Sequence, residues 1–162
     1  MKRDDPLFTL EVFIVDGPLS AKFIKKNKVV CRTIQIRGDQ TLEDLHNAIF
    51  DAFDREEEHM YEFQVGGKGP WDPDAKEFGV SRDDGSIIVQ GCGGNQQAGT
   101  VNETIGSLWL KKGDAFGYRF DFGDDWRHQI NVVDIGEPTG RGKYPKVIKR
   151  VGQSPPQYME EE

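Results

Sequence analysis

A chain of 162 residues with 21 Lys and Arg against 28 Asp and Glu is the size of one domain, and its net charge of −7 argues against a general affinity for nucleic-acid backbones. Its two cysteines, Cys31 and Cys92, form no CxxC pair, so neither a disulfide framework nor a zinc knuckle is indicated. No stretch approaches the roughly 20 apolar residues of a membrane span. The opening MKRDDPLF lacks the apolar core of a secretory signal, so a cytoplasmic protein without a membrane partner is expected.

Residues 7–15 (LFTLEVFIV) and 29–36 (VVCRTIQI) read as strands rich in β-branched side chains, joined by a loose hairpin connection. The best helix follows. Thr41 serves as N-cap and Asp44, three residues on, completes a capping box. Leu42, Leu45, Ile49, Ala52 and Phe53 recur at helical spacing as one apolar stripe with His46 on its flank, and the helix is expected to fade in the acidic run near Glu56.

Residues 59–65 (HMYEFQV) alternate again, with His59, Tyr61, Phe63 and Val65 on one face. Gly66-Gly67-Lys68-Gly69-Pro70 ends that strand, and its spacing is not that of a phosphate loop. From Trp71 to Asn102 the chain reads as a long loop holding a short apolar run at 87–89.

The most specified stretch is FGYRFDFGDDWRHQI, residues 116–130. Phe116, Tyr118, Phe120 and Phe122 point one way; after the turn Gly123-Asp124-Asp125, so do Trp126, His128, Ile130 and Val132. Two alternating runs around turn residues predict a β-hairpin, with Phe116, Phe120, Trp126 and Ile130 in the core. Asp124 or Asp125 should accept backbone N–H groups in the turn, and Arg127 should pair with Asp121 or Asp125. The Gly-, Pro- and charge-rich end reads as an extended surface tail, with residues 1–150 as the single domain and 151–162 as the tail.

Two basic runs interrupt the acidic composition. One holds Lys22, Lys25, Lys26 and Lys28; the other holds Arg141, Lys143, Lys146, Lys149 and Arg150. Each is either solvated surface or a docking patch for an anionic partner.

The three histidines, His46, His59 and His128, each fall at or beside a face predicted to be buried. Three neutral imidazoles around an open position would make a zinc site for a metal-dependent hydrolase, with Asp124 as base or supporting partner. The competing reading has each ring hydrogen-bonded within the fold and no cofactor, since no HExxH or paired ligand spacing is present.

The blocks TLEDLHNAIFDAFDREEEHMYEF (41–63) and YRFDFGDDWRHQI (118–130) resemble the plasmid pRiA-type ORF-three-like family, whose members are carried on plasmids, chromosomes and insertion elements as passenger proteins. The family's Thr-Leu, Leu-His and His-hydrophobic-x-x-Phe positions are held by Thr41 and Leu42, Leu45 and His46, and His59, Met60 and Phe63. Its final block maps onto Tyr118, Phe120, Asp121, Phe122, Gly123, Asp124, Trp126 and His128. VVCRT stands where the family has Pro-x-Ile-Trp-Arg-Arg, keeping Arg32 alone, and Pro155-Pro156-Gln157-Tyr158 stands where it has Pro-Pro-Glu-Asp-Cys-Gly-Gly. The resemblance places all three histidines in signature blocks and brings no activity with it.

The expected architecture is α+β: a mixed or antiparallel sheet with one main crossing helix, begun as a ubiquitin-type grasp, and extended by the aromatic hairpin. The expected function is a non-enzymatic binding or accessory domain, with the three-histidine hydrolase as the alternative.

Overall fold

The computed structural model describes residues 6–67, 72–89, 98–137 and 142–158. Strand β1 (Leu7–Asp16) pairs antiparallel with β2 (Cys31–Arg37), placing Leu10 opposite Ile34 and Val12 opposite Arg32. The segment between them, expected to be a loose connection, instead holds a short helix, α1 (Ala21–Lys26). Ser20 nucleates it by accepting a hydrogen bond from the Phe23 N–H, and none of its residues is buried.

Helix α2 (Leu42–Ala52) begins as its sequence dictates. The Thr41 hydroxyl accepts from the Asp44 N–H while the Asp44 carboxylate accepts from the Thr41 N–H. Leu42, Leu45, Ile49 and Ala52 are fully buried, as is Phe53 just beyond the helix. The helix stops at Ala52, four residues short of the expected fade, and its last turn carries no basic residue of its own. Arginines from the sheet supply that charge. Arg32 Nε and Arg150 Nη1 both donate to the Ala52 carbonyl, where the negative end of the helix dipole lies.

The remaining strands are β3 (Tyr61–Val65), β4 (Lys76–Ser81), β5 (Ile87–Ile88), β6 (Gly99–Thr100), β7 (Ala115–Phe120), β8 (Trp126–Gly136) and β9 (Lys146–Val151), with a 3-10 turn at Ile105–Leu108. They join one open sheet in the order β5-β4-β3-β7-β8-β1-β2-β9, with β6 beside β4. The β4–β6 pair is parallel and the others are antiparallel. Together with the two helices this is an α+β fold with an open, largely antiparallel sheet, not the specific ubiquitin-type grasp anticipated from the strand–strand–helix–strand start.

Two further expectations are corrected here. Within the stretch read as loop from 71 to 102, β4 hydrogen-bonds along β3, so that Phe78 lies opposite Phe63; residues 90–97 lie outside the described residues. Within the Gly-, Pro- and charge-rich stretch from Gly136, read as extended chain on the surface, residues 146–151 form β9, which pairs with β2.

The aromatic hairpin takes a central place in the sheet. Phe120 lies opposite Trp126, Tyr118 opposite His128 and Phe116 opposite Ile130. Phe116, Phe120, Trp126 and Ile130 are all at most 1% exposed and share one core with Leu45 and Ile49 of α2. Phe122 departs from the pattern: it lies in the turn and is only half-buried, because β7 ends at Phe120. Gly17 is required by this packing, since a Cβ there would lie 2.4 Å from Trp126 Cε3. Among the described residues no helix is long and apolar enough to cross a membrane.

Candidate functional site

Tyr118 is the centre of the signature residues. Its position on β7 puts it beside Phe63 of β3 and opposite His128 of β8, with its hydroxyl directed at α2. His46, one turn into α2, reaches across to it. Its ring stacks on Tyr61 with centroids 3.6 Å apart and planes 2° from parallel. Its Nδ1 lies 2.6 Å from the Tyr118 hydroxyl and its Nε2 lies 2.5 Å from Glu58 Oε1.

Protonation follows from those partners. Burial first, then the positive charge of Arg55, push His46 down to about 3. An ion pair with Glu58 would instead raise the ring and lower the carboxyl, yet the Glu58 carboxyl is itself raised, chiefly by burial. The contact is therefore a hydrogen bond from a neutral ring. Nε2–H donates to Glu58, and Nδ1 accepts from the Tyr118 hydroxyl. Burial holds the Tyr118 hydroxyl far above its ordinary range, which keeps it a donor.

On the other side of Tyr118, His128 is completely buried, with its ring centroid 4.9 Å from the tyrosine's. Its Nε2 lies 2.8 Å from Arg55 Nη2, and its Nδ1 lies 3.2 Å from the Tyr118 carbonyl. A guanidinium has only donors, so Nε2 must accept and Nδ1 must carry the proton. His128 is neutral, and burial followed by Arg55 places it well below its usual range. Arg55 is buried among rings, with Phe120, Phe53 and Trp126 centroids 4.8, 5.2 and 5.4 Å from its Cζ, and burial lowers it to about 10.

His59 belongs to a different layer. It precedes β3 instead of opening it, is partly exposed, and meets the Tyr158 hydroxyl at 2.8 Å and Asp121 Oδ2 at 3.6 Å. Asp121, with φ of 63°, organises the hairpin turn: its Oδ1 accepts from the N–H groups of Gly123 and Asp124. That task had been assigned to Asp124 or Asp125. Asp124 is exposed, and Asp125 instead bridges Arg119 at 2.8 Å and Arg127 at 2.9 Å, the second being one of the two pairings foreseen for Arg127. Trp126 is core.

The three histidines thus gather around Tyr118 and Phe120, but their nitrogens do not converge. Among the described residues no group of three His, Cys, Asp or Glu side chains could hold a metal ion. His128 Nε2, which a zinc site would need, faces a guanidinium instead. These residues do not fit zinc, and the hydrolase alternative has no metal cluster to rest on among them.

A family model described as plasmid pRiA4b ORF-3-like protein matches residues 19–161. The chain belongs to the plasmid pRiA4b ORF-3-like family. The match takes in both signature blocks, so His46, His59, Tyr118 and His128 are placed in this geometry within a family of unknown function that is named from a plasmid reading frame. No curated protein matches the chain. A crystal structure of a protein of unknown function from Methanosarcina mazei Go1 aligns with 94% of this chain and 73% of its own, at 19% identity and a TM-score of 0.69. That likeness shows the fold alone.

Two participants in the cluster escaped the sequence reading, and so did the role of Arg32 beside it. Arg55 and Glu58 lie in DREEEHM, which carries the signal of a solvated acidic run. Arg32, the one arginine kept from the family's pair, is 2% exposed and donates to the carbonyls of Cys31, Ala52, Val151 and Gly152 and to the Ser154 hydroxyl. Only tertiary contact assigns these roles.

Proposed function

We propose that this member of the pRiA4b ORF-3-like family is a non-enzymatic binding or accessory domain whose signature residues form its internal scaffold. The observation that carries the reading is the direction of the signature side chains. His46, Tyr118, His128 and Trp126 turn inward, and the two rings and the hydroxyl spend their hydrogen bonds on one another, Glu58 and Arg55. A catalytic nucleophile needs both an activating base and access to substrate. Tyr118 has the histidine but is fully buried, and its hydroxyl is held far from ionisation. Cys31 is buried too, and burial pushes its thiol up to about 11.

Elemental analysis of the purified chain, before and after incubation with zinc, tests the reading. Zinc should stay well below one per chain and be unaffected by His46→Ala. One zinc per chain, lost in both His46→Ala and His128→Ala, would overturn it in favour of the metal-dependent hydrolase.

A further inference from the structure

Two lysine-rich segments distant in the chain meet at one edge of the sheet. Asn27, which ends α1, exchanges two hydrogen bonds with Gln153, 126 positions away: its Nδ2 donates to Gln153 Oε1 at 3.3 Å, and the Gln153 N–H donates to its Oδ1 at 2.9 Å. Gly152 lies so close to the following residues that a Cβ on it would be 2.4 Å from the Val29 carbonyl oxygen. Lys22, Lys25, Lys26 and Lys28 therefore lie at the Val151 end of the strand that carries Lys149 and, at its far end, Lys146, and all six are exposed. Arg150 is partly spent on the Ala52 carbonyl and on Asp54, 3.9 Å away.

This edge is also where apolar side chains are left in water. Ile24 and Val29 are each 50% exposed, Ile148 is 47% and Val151 is 38%; these are four of the eight exposed large apolar side chains among the described residues. Strand β9 is the end of the sheet: β2 takes one side, and no strand takes the other among the described residues. Its backbone donors and acceptors on that side form a template for one more strand.

We propose that this edge binds an extended segment of a partner protein in which acidic and aliphatic residues alternate, added beside β9 as a further strand. Strand addition draws affinity from main-chain hydrogen bonds and selectivity from alternate side chains. The lysines supply the selection. Lysines and a bulge, here between Thr33 and Ile34 in the register with β9, commonly guard an edge against its own kind. The same charges that repel a second copy attract an acidic strand, and the exposed valines and isoleucines give its alternate residues somewhere to sit. Nucleic acid fits less well. The chain as a whole is acidic, and the most exposed apolar side chains among the lysines are aliphatic.

The test is a titration of isotope-labelled full chain, followed by amide chemical shifts, with a short peptide of alternating Glu and Val. Shifts should concentrate in residues 22–30 and 146–151, and affinity should fall about tenfold or more in Lys146→Glu/Lys149→Glu. Unchanged amide positions in α2 and β7 verify the fold of that variant, and Lys25→Glu/Lys26→Glu serves as a second one. A peptide with Pro at its centre keeps the charge but cannot complete the ladder, and should bind far more weakly. Equal binding of the Pro peptide, shifts located elsewhere, or tighter binding of a DNA duplex would each overturn the proposal. The inference rests on the binding-domain reading, and the two fail separately: stoichiometric zinc removes that reading, whereas a flat titration of zinc-free protein removes this surface alone.

Discussion

Acidification should weaken this protein through two buried rings. His46 and His128 are neutral in the fold, held below the value of about 6.5 that they regain on unfolding. Below pH 6.5 the unfolded chain therefore binds protons that the native chain refuses. Stability is complete above that pH and declines as pH falls, for His46 down to about pH 3. Each ring contributes about 1.4 kcal/mol per pH unit, so at pH 5 each costs about 2 kcal/mol and the pair about 4. Against a typical total of roughly 5–15 kcal/mol that is a large fraction. Glu58, with its carboxyl raised, acts in the opposite direction, but its side chain is 58% exposed and solvent screens its share.

Urea unfolding across a series from about pH 7.5 to about pH 5 measures the effect. The wild-type slope below pH 6.5 should approach about 2.7 kcal/mol per unit, and His128→Gln should bring it to about 1.4 while lowering stability throughout. A flat profile, or a slope unchanged in His128→Gln, would refute the assignment of neutral rings.

Gly17→Ala should cost about 1–3 kcal/mol, because the added methyl would enter the face of a fully packed indole; scanning calorimetry showing an unchanged melting temperature would contradict that contact. Arg32→Lys keeps the charge but loses the planar fork that serves the α2 terminus and the Val151–Ser154 segment together, and should cost roughly 1.5–3 kcal/mol in urea. Amide exchange should quicken beyond residue 151 in that variant, and protection equal to wild type would show that Arg32 does not hold the segment.

The elements legible in advance are those whose cause is local. The capping box at Thr41 and Asp44, the apolar stripe of α2 and the two alternating runs of the hairpin all depend on spacing within one element, and the structure places each as its periodicity requires, Phe122 in the turn excepted. β9 carried no such sign, because an edge strand exposed on nearly every residue has no buried face to impose alternation. α1 is too short to display a period, and β4 is short and flanked by turn residues.

The histidines mark the same boundary. The placement of His46 and His128 at buried faces follows from the sequence, since an imidazole on or beside an apolar face is carried inward with it. Which atom each nitrogen meets does not follow. A nitrogen turned toward a metal and one turned toward a guanidinium occupy the same position in the pattern, and the difference is set by Arg55, whose neighbours in the chain are acidic and exposed. Local periodicity determined which faces of this protein are dry. Only the folded chain, by bringing residues 46, 55, 118 and 128 within hydrogen-bond reach, decided which polar groups inside would satisfy one another, because such pairing depends on distances of a few ångströms between segments that share no sequence signal.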